Sequence, residues 1–126
     1  MLSRSKRLTT EQYQRAFDKG TLNHSTKATL RLLFVSGEDV GSSLWAVNVP
    51  KKVSKLAVVR NKIRRQTFEA IHDILKSDDY ELQASDERSA WAIIIWKPTV
   101  LDATYEQIIE YVEELMIKAG IIVKRG

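Results

Sequence analysis

The segment KKVSKLAVVRNKIRR, Lys51 to Arg65, holds seven cations and no acid. Ammonium and guanidinium groups at that density are phosphate-binding chemistry. The segment runs, with no Gly or Pro, into QTFEAIHDIL, an amphipathic helical pattern, so the cations load the front of a helix. That end of a helix is already positive, and each exposed cation there is disfavoured by about 0.3–1 kcal/mol. On a wheel of about 100° per residue with Val59 at zero, Val59, Ile63, Ala70 and Ile74 fall within roughly 0–60° and form a core stripe. Arg60, Arg64, Asn61 and Arg65 fall at roughly 100°, 140°, 200° and 240°, with Lys62 on the other flank near roughly 300°. The expectation is a basic ridge beside the buried stripe. A polyanion resolves the conflict, because phosphates would find the dipole, backbone N–H groups and guanidinium forks together. Asn61 either bonds a sugar, phosphate or base edge or serves as a local cap. A merely solvated charged face is the bland alternative. Against it stands the absence of any acid from Gly41 to Phe68. Charge alone does not decide between RNA and DNA.

Tyr13 and Phe17 are four residues apart, so on a helix their rings share one side. With Arg15, Lys19 and Arg31 nearby in the pattern, they read either as a stacking platform for single-stranded nucleic acid or as core anchors of a short helix. Other chemistries find little support. The chain has no cysteine and only two histidines, His24 and His72, neither at metal-ligand spacing with a partner. Asp78-Asp79 and Asp86-Glu87 read as solvated loop acids. A metal-dependent nuclease would need carboxylates converging near the ridge, and that segment has none. No protein residue is therefore expected to be catalytic or to bind metal.

The elements that must position these groups follow from pattern. Thr9 with Gln12 makes a capping box and Gly20 a stop, which predicts a first helix. Residues 28–35 alternate as a half-buried strand, and Leu44 to Val49 reads as a second strand hairpinned to it, ended by Pro50. The basic helix is predicted from about Val58 to Leu75, and 78–89 reads as an acidic loop. WAIIIW, Trp91 to Trp96, suggests a strand buried on both faces. Thr104 with Gln107 caps a last helix that Gly120 ends. The order α-β-β-α-β-α predicts an α/β (α+β) two-layer sandwich in one domain over 1–126, with the middle helix as a βαβ crossover if strands two and three are parallel neighbours. The state of the C-terminal tail is left open. Residues 1–65 carry 14 Lys/Arg against 4 Asp/Glu, and residues 66–126 carry 6 against 12, which points to a basic face and a separate acidic one. MLSRSKR lacks an apolar h-region and no apolar run approaches membrane-spanning length, so no signal peptide or membrane contact is expected and the cytoplasm is the expected location.

These residues match a known family. The chain resembles the bacterial ribonuclease P protein component, the small basic subunit that assists a catalytic RNA in removing 5′ leaders from precursor tRNA. The resemblance covers about Ser3 to Gly120. Its most specific part is Lys51-Lys52 followed by Arg60-Asn61-Lys62-Ile63-Arg64-Arg65, similar to the family's Lys-Lys, short loop, Arg-Asn-Arg-x-Lys-Arg pattern. RLTTEQYQRAFDKG, the IIIWKP strand end and ATYEQI support it. The resemblance implies a left-handed βαβ crossover, contrary to the general rule. It implies that Lys51, Lys52, Lys55, Arg60, Asn61, Lys62, Arg64 and Arg65 contact the catalytic RNA, and that Tyr13 and Phe17 line a cleft for the single-stranded leader, to which the platform reading adds Arg31. The metal-activated water would belong to the RNA, with Mg²⁺ as its ion. The chain departs from the pattern at Asn48-Val49-Pro50, where the family has Ser-Val-Ser. It also departs at Lys62, which replaces an arginine, and at Phe68, a family basic position, which either weakens the ridge or extends it with a stacking ring. The acidic 78–89 loop is long for the family. Two rivals remain: a stand-alone RNA- or DNA-binding module such as a ribosome-assembly factor, and an interaction domain for an acidic protein.

Overall fold

In a computed structural model, residues 6–36, 43–82 and 88–124 are described. Among these residues three α-helices, α1 (Thr10–Lys19), α2 (Ala57–Lys76) and α3 (Tyr105–Lys118), accompany six strands. These are β1 (Thr21–His24), β2 (Ala28–Ser36), β3 (Ser43–Asn48), β4 (Tyr80–Leu82), β5 (Arg88–Trp96) and β6 (Ile122–Lys124). The main sheet runs β1-β2-β5-β3, and β4 pairs with β6 in a separate antiparallel ladder.

Strand β5 explains the sheet order. Its run from Ala90 to Ile94 is wholly buried, and such a strand belongs at the centre of a sheet, paired on both edges. It pairs antiparallel with β2 and parallel with β3. The expected hairpin between residues 28–35 and 44–49 is therefore absent: β5 inserts between them. The parallel neighbours β3 and β5 make α2 part of the crossover, as expected. The exposed edge of β3 is partly closed by the N-terminal segment, where the Leu8 N–H donates to the Trp45 carbonyl at 2.9 Å.

Two apolar clusters hold the layers. The larger joins Leu30, Trp45, Ile94 and Trp96 of the sheet to Ile71 and Ile74 of α2 and to Ile108, Val112 and Leu115 of α3. The smaller joins Ala16 of α1 to Val35, Leu44, Trp91 and Ile93 on the other sheet face. One buried polar chain ties α2 to β5: Trp96 Nε1 donates to Thr67 Oγ1 at 3.0 Å, and Thr67 donates to the Ile63 carbonyl at 2.6 Å. Every polar atom of that chain is thereby satisfied.

The helix ends follow their predicted chemistry in two cases. Thr9 with Gln12 and Thr104 with Gln107 both form reciprocal capping boxes. Gly120 takes φ +78°, and the Ile121 N–H reaches back to the Met116 carbonyl at 2.9 Å, a Schellman end that a side chain at 120 would strain. At Gly20 the reason is different. A Cβ there would collide with the Ala16 carbonyl oxygen. The predicted acidic loop is shorter than 78–89, because β4 occupies 80–82 and β5 starts at Arg88. Its residues 83–87 lie outside the described residues. The C-terminal tail contributes β6.

Candidate nucleic-acid interface

Strand β3 runs out through Val49 and Pro50 into Lys51 and Lys52, so the basic segment starts where the sheet ends. The connection is a short turn closed by the Val53 N–H on the Pro50 carbonyl at 3.0 Å, with Val53 buried as its anchor. Leu56 stands at the N-cap of α2 and makes no side-chain cap bond, and the first turn holds no acid. Arg60 supplies the missing organisation. Its Nη1 donates to the carbonyls of Ser54 and Lys55, both at 2.9 Å, and binds the loop to the helix.

The cations therefore do not form one uniform ridge. Thr67, Phe68 and Ile71 are buried along with Ile63, Ala70 and Ile74, which widens the core stripe to roughly 20–180° on the wheel and encloses the directions of Arg60 and Arg64. Both arginines are half-buried. Arg64 Nη1 donates to Asn61 Oδ1 at 2.7 Å, so Asn61 is engaged within the helix. Lys51, Lys52, Lys55, Lys62 and Arg65 are exposed. They form the part of the surface that is open to a phosphate backbone. Phe68 is 5% exposed, with the Arg7 guanidinium 4.2 Å above its ring centroid, so it offers no stacking face. Of its two expected readings, the ring that extends the ridge is excluded.

On the opposite sheet face, α1 covers only one end. Leu44, Trp91 and Ile93 are buried beneath it, whereas Ala46, Asn48 and Ile95, further along the same face, are half-buried. The strand pairing sets Arg31 across from both Ile93 and Leu22, and Leu22 is 43% exposed. An open, mostly apolar floor results, walled by α1 and leading at Asn48 to the basic turn. Tyr13 and Phe17 stack at the wall, ring centroids 6.2 Å apart and planes 14° off parallel. Tyr13 packs against the smaller core cluster, while Phe17 is 37% exposed. Of the two sequence readings, the core anchor describes Tyr13, while Phe17 keeps an exposed face. Arg31 reaches across from β2, its guanidinium 4.3 Å from the Phe17 centroid and Nη1 2.9 Å from the Phe17 carbonyl. Arg15 lies instead over Trp91 at 5.5 Å. Ile95, Asn48 and Leu22 were not among the expected site residues. The continuous apolar reading of β5 concealed the half-exposure of Ile95, and β1 carries no period that would have placed Leu22.

Among the described residues, no three His, Asp or Glu side chains gather as a metal site would require, and no helix is long and apolar enough to cross a membrane. The tyrosines with shifted acidities lie away from the basic surface. The Tyr80 hydroxyl bonds Glu113 at 2.6 Å, and this bond raises its pKa to about 12. Burial, and then the bond to Asp73 at 2.7 Å, push Tyr105 further up.

Comparison with known proteins settles the family. The Ribonuclease P family model matches residues 2–120. The chain belongs to the family of bacterial ribonuclease P protein components. It is 33% identical over 114 residues to the ribonuclease P protein component of Microcystis aeruginosa, covering 89% of this chain and 88% of that one. The Rippkaea orientalis protein of the same name is 27% identical, covering 88% and 83%. The fold matches the ribonuclease P protein of Staphylococcus aureus with a TM-score of 0.72 at 20% identity, over 92% of this chain and 96% of that one. The protein from Thermotoga maritima aligns with a TM-score of 0.65 at 15% identity, over 86% and 93%. Within this ribonuclease P fold, the signature Arg60 to Arg65 occupies the first turns of α2, and the aromatic pair of α1 stands on the other sheet face.

Proposed function

We propose that this chain serves as the RNA-binding protein subunit of ribonuclease P and works in the cytoplasm on precursor tRNA. The exposed cations Lys51, Lys52, Lys55, Lys62 and Arg65, with the half-buried Arg64, neutralise phosphates of the catalytic RNA. Arg60 and Asn61 hold the loop and first turns in the shape that presents them. The 5′ leader lies over the open sheet face, with an unpaired base against Phe17 and its phosphates near Arg31. The protein positions both RNAs. Mg²⁺ and the activated water belong to the catalytic RNA, and no side chain of this protein takes a proton or holds a metal in the cleavage step.

The observation that carries this reading is the continuity of the two surfaces. The open half of the sheet face ends at Asn48, from which the chain enters an acid-free basic turn and an uncapped basic helix. A general polyanion binder would need only the second surface. The experiment is cleavage of a precursor tRNA at low Mg²⁺ by the Microcystis aeruginosa catalytic RNA. The expected result is that the wild-type protein restores 5′ cleavage and a folded Lys62/Arg64/Arg65→Ala variant does not. Equal behaviour of the two proteins, with no rescue by either, would sink the proposal.

A further inference from the structure

Between the start of α2 and the turn that enters α3 lies a cavity of about 410 Å³. Leu56, Val59 and Leu101 give it apolar walls, while Lys62, Gln66 and Asp102 bring polar ends to it. Leu56 is 62% and Leu101 44% exposed. Leu56 also holds the N-cap position, where Ser, Thr, Asp or Asn would stabilise the helix. Two local rules are thus broken at one place, and neither leucine serves the core. Such coincident departures mark sites.

We propose that this cavity takes one unstacked guanine of the RNA that the basic face of α2 engages. The proposal rests on the reading of α2 as an RNA-binding element. The aliphatic side chains offer flat apolar surface to the two faces of a base, and Lys62 with the neighbouring Lys55 supplies charge for its phosphates. Asp102 selects the base. An ionised carboxylate only accepts hydrogen bonds, through two oxygens side by side. Guanine alone presents two adjacent donors, N1–H and N2–H₂, on its Watson–Crick edge; adenine, cytosine and uracil have a single donor group there, next to an acceptor. Single-stranded bases are read on that edge. The Gln66 amide can donate to the guanine O6. The cavity adjoins the basic turn, so a nucleotide splayed from the bound backbone can enter it without leaving that surface.

The test uses the full chain and ribonuclease P RNA carrying randomly placed 6-thioguanosine or 4-thiouridine, cross-linked by light and mapped on the protein. Affinity is measured in parallel over a salt series for wild type, Leu101→Ala and Asp102→Asn. Both substituted side chains are exposed, so both variants are expected to fold. The expected result is thioguanosine adducts in peptides spanning 54–66 or 99–103, and about tenfold weaker binding by each variant with the salt slope unchanged. The sign for Asp102→Asn is diagnostic. Removing a negative charge beside a polyanion tightens binding unless the carboxylate itself accepts from the RNA. Normal RNA binding with adducts elsewhere and variants equal to wild type overturns the cavity and leaves the α2 reading intact. Thiouridine adducts there in equal yield overturn the choice of guanine. Failure of the wild type to bind the RNA overturns the α2 reading and the cavity with it.

Discussion

At the start of α3, Thr104 and Gln107 satisfy each other's backbone N–H groups, Glu106 adds a negative charge, and Lys118 sits in the last turn. Helix α1 repeats the scheme with Thr9, Gln12, Glu11 and Lys19. Helix α2 reverses it at its start: a leucine at the cap, no acid in the first turn, and cations through the next two. A missing side-chain cap costs about 1 kcal/mol, and a first turn without an acid forgoes about 0.3–1 kcal/mol of favourable interaction with the dipole. The chain knows how to begin a helix, and does so twice. The start of α2 has neither device, and Arg60 with the buried stripe from Ile63 to Ile74 compensates for what its terminus lacks.

The contrast can be broken most forcefully by discharging the start of α2. Lys62/Arg64/Arg65→Ala should weaken binding of the catalytic RNA by about 100-fold near physiological salt and lower the slope of log K against log salt by about 0.9 for each duplex phosphate no longer neutralised. Its melting temperature should change little, because Lys62 and Arg65 are exposed and Arg64 gives up only its bond to Asn61. A salt titration with a parallel thermal melt reads both, and a lower melting temperature with an unchanged slope would sink the division of labour. Arg60→Ala should differ in kind. It removes two charge-assisted bonds to carbonyls, at roughly 1–2 kcal/mol of stability in this half-exposed setting, and Arg60→Lys should recover only part, lacking the fork.

The aromatic wall gives the next largest effect. Phe17→Ala should weaken binding of a precursor with a leader by about 1–3 kcal/mol, the range for one base on an aromatic ring, and leave affinity for leaderless tRNA unchanged. Comparing the two substrates isolates the stacking from general folding. Tyr13→Ala should instead lower stability, since that ring packs into the smaller core cluster.

The caps themselves sharpen the comparison with smaller numbers. Thr104→Ala should cost about 1 kcal/mol of stability and leave RNA binding untouched, whereas Leu56→Ser should gain about 0.5–1 kcal/mol and weaken RNA binding. Opposite signs from equivalent positions, read by denaturant melts and RNA titration, are the expected outcome. Equal signs would mean that α2 is simply a poorly capped helix.

What the sequence could show depended on range. The capping boxes at Thr9 and Thr104 involve residues three apart, and both are present as read. The WAIIIW run announced a central strand by composition alone. The hairpin between β2 and β3 was misread because nothing within either strand says that β5, far beyond β3 in the chain, will separate them. The wheel drew the core stripe too narrow, leaving Arg60 and Arg64 outside it, for a similar reason. Thr67 is buried by its bond to the distant Trp96, and Phe68 lies under Arg7 from the other end of the chain. The polar TLNH of β1 has no period to detect. The residue types gathered at this surface were therefore legible, and their division into exposed and half-buried groups was not.

The acidic half completes the argument through its tyrosines. Glu113 and Asp73 are hydrogen-bonded by the phenols of Tyr80 and Tyr105 rather than drawn toward the lysines and arginines of α2. Neutral donors satisfy these carboxylates and leave the basic surface its charge. A phenol that donates to a carboxylate resists ionisation, so the pKa of Tyr80 in the folded protein stands near 12 against about 10 in the unfolded chain. The unfolded state therefore loses its proton first as pH rises. Stability from this contact is complete below about pH 10 and is lost between there and about pH 12. Tyr80→Phe should flatten that alkaline decline slightly and change RNA affinity at neutral pH not at all. An RNA affinity that followed the Tyr80 substitution would show this contact to be coupled to the basic surface of α2.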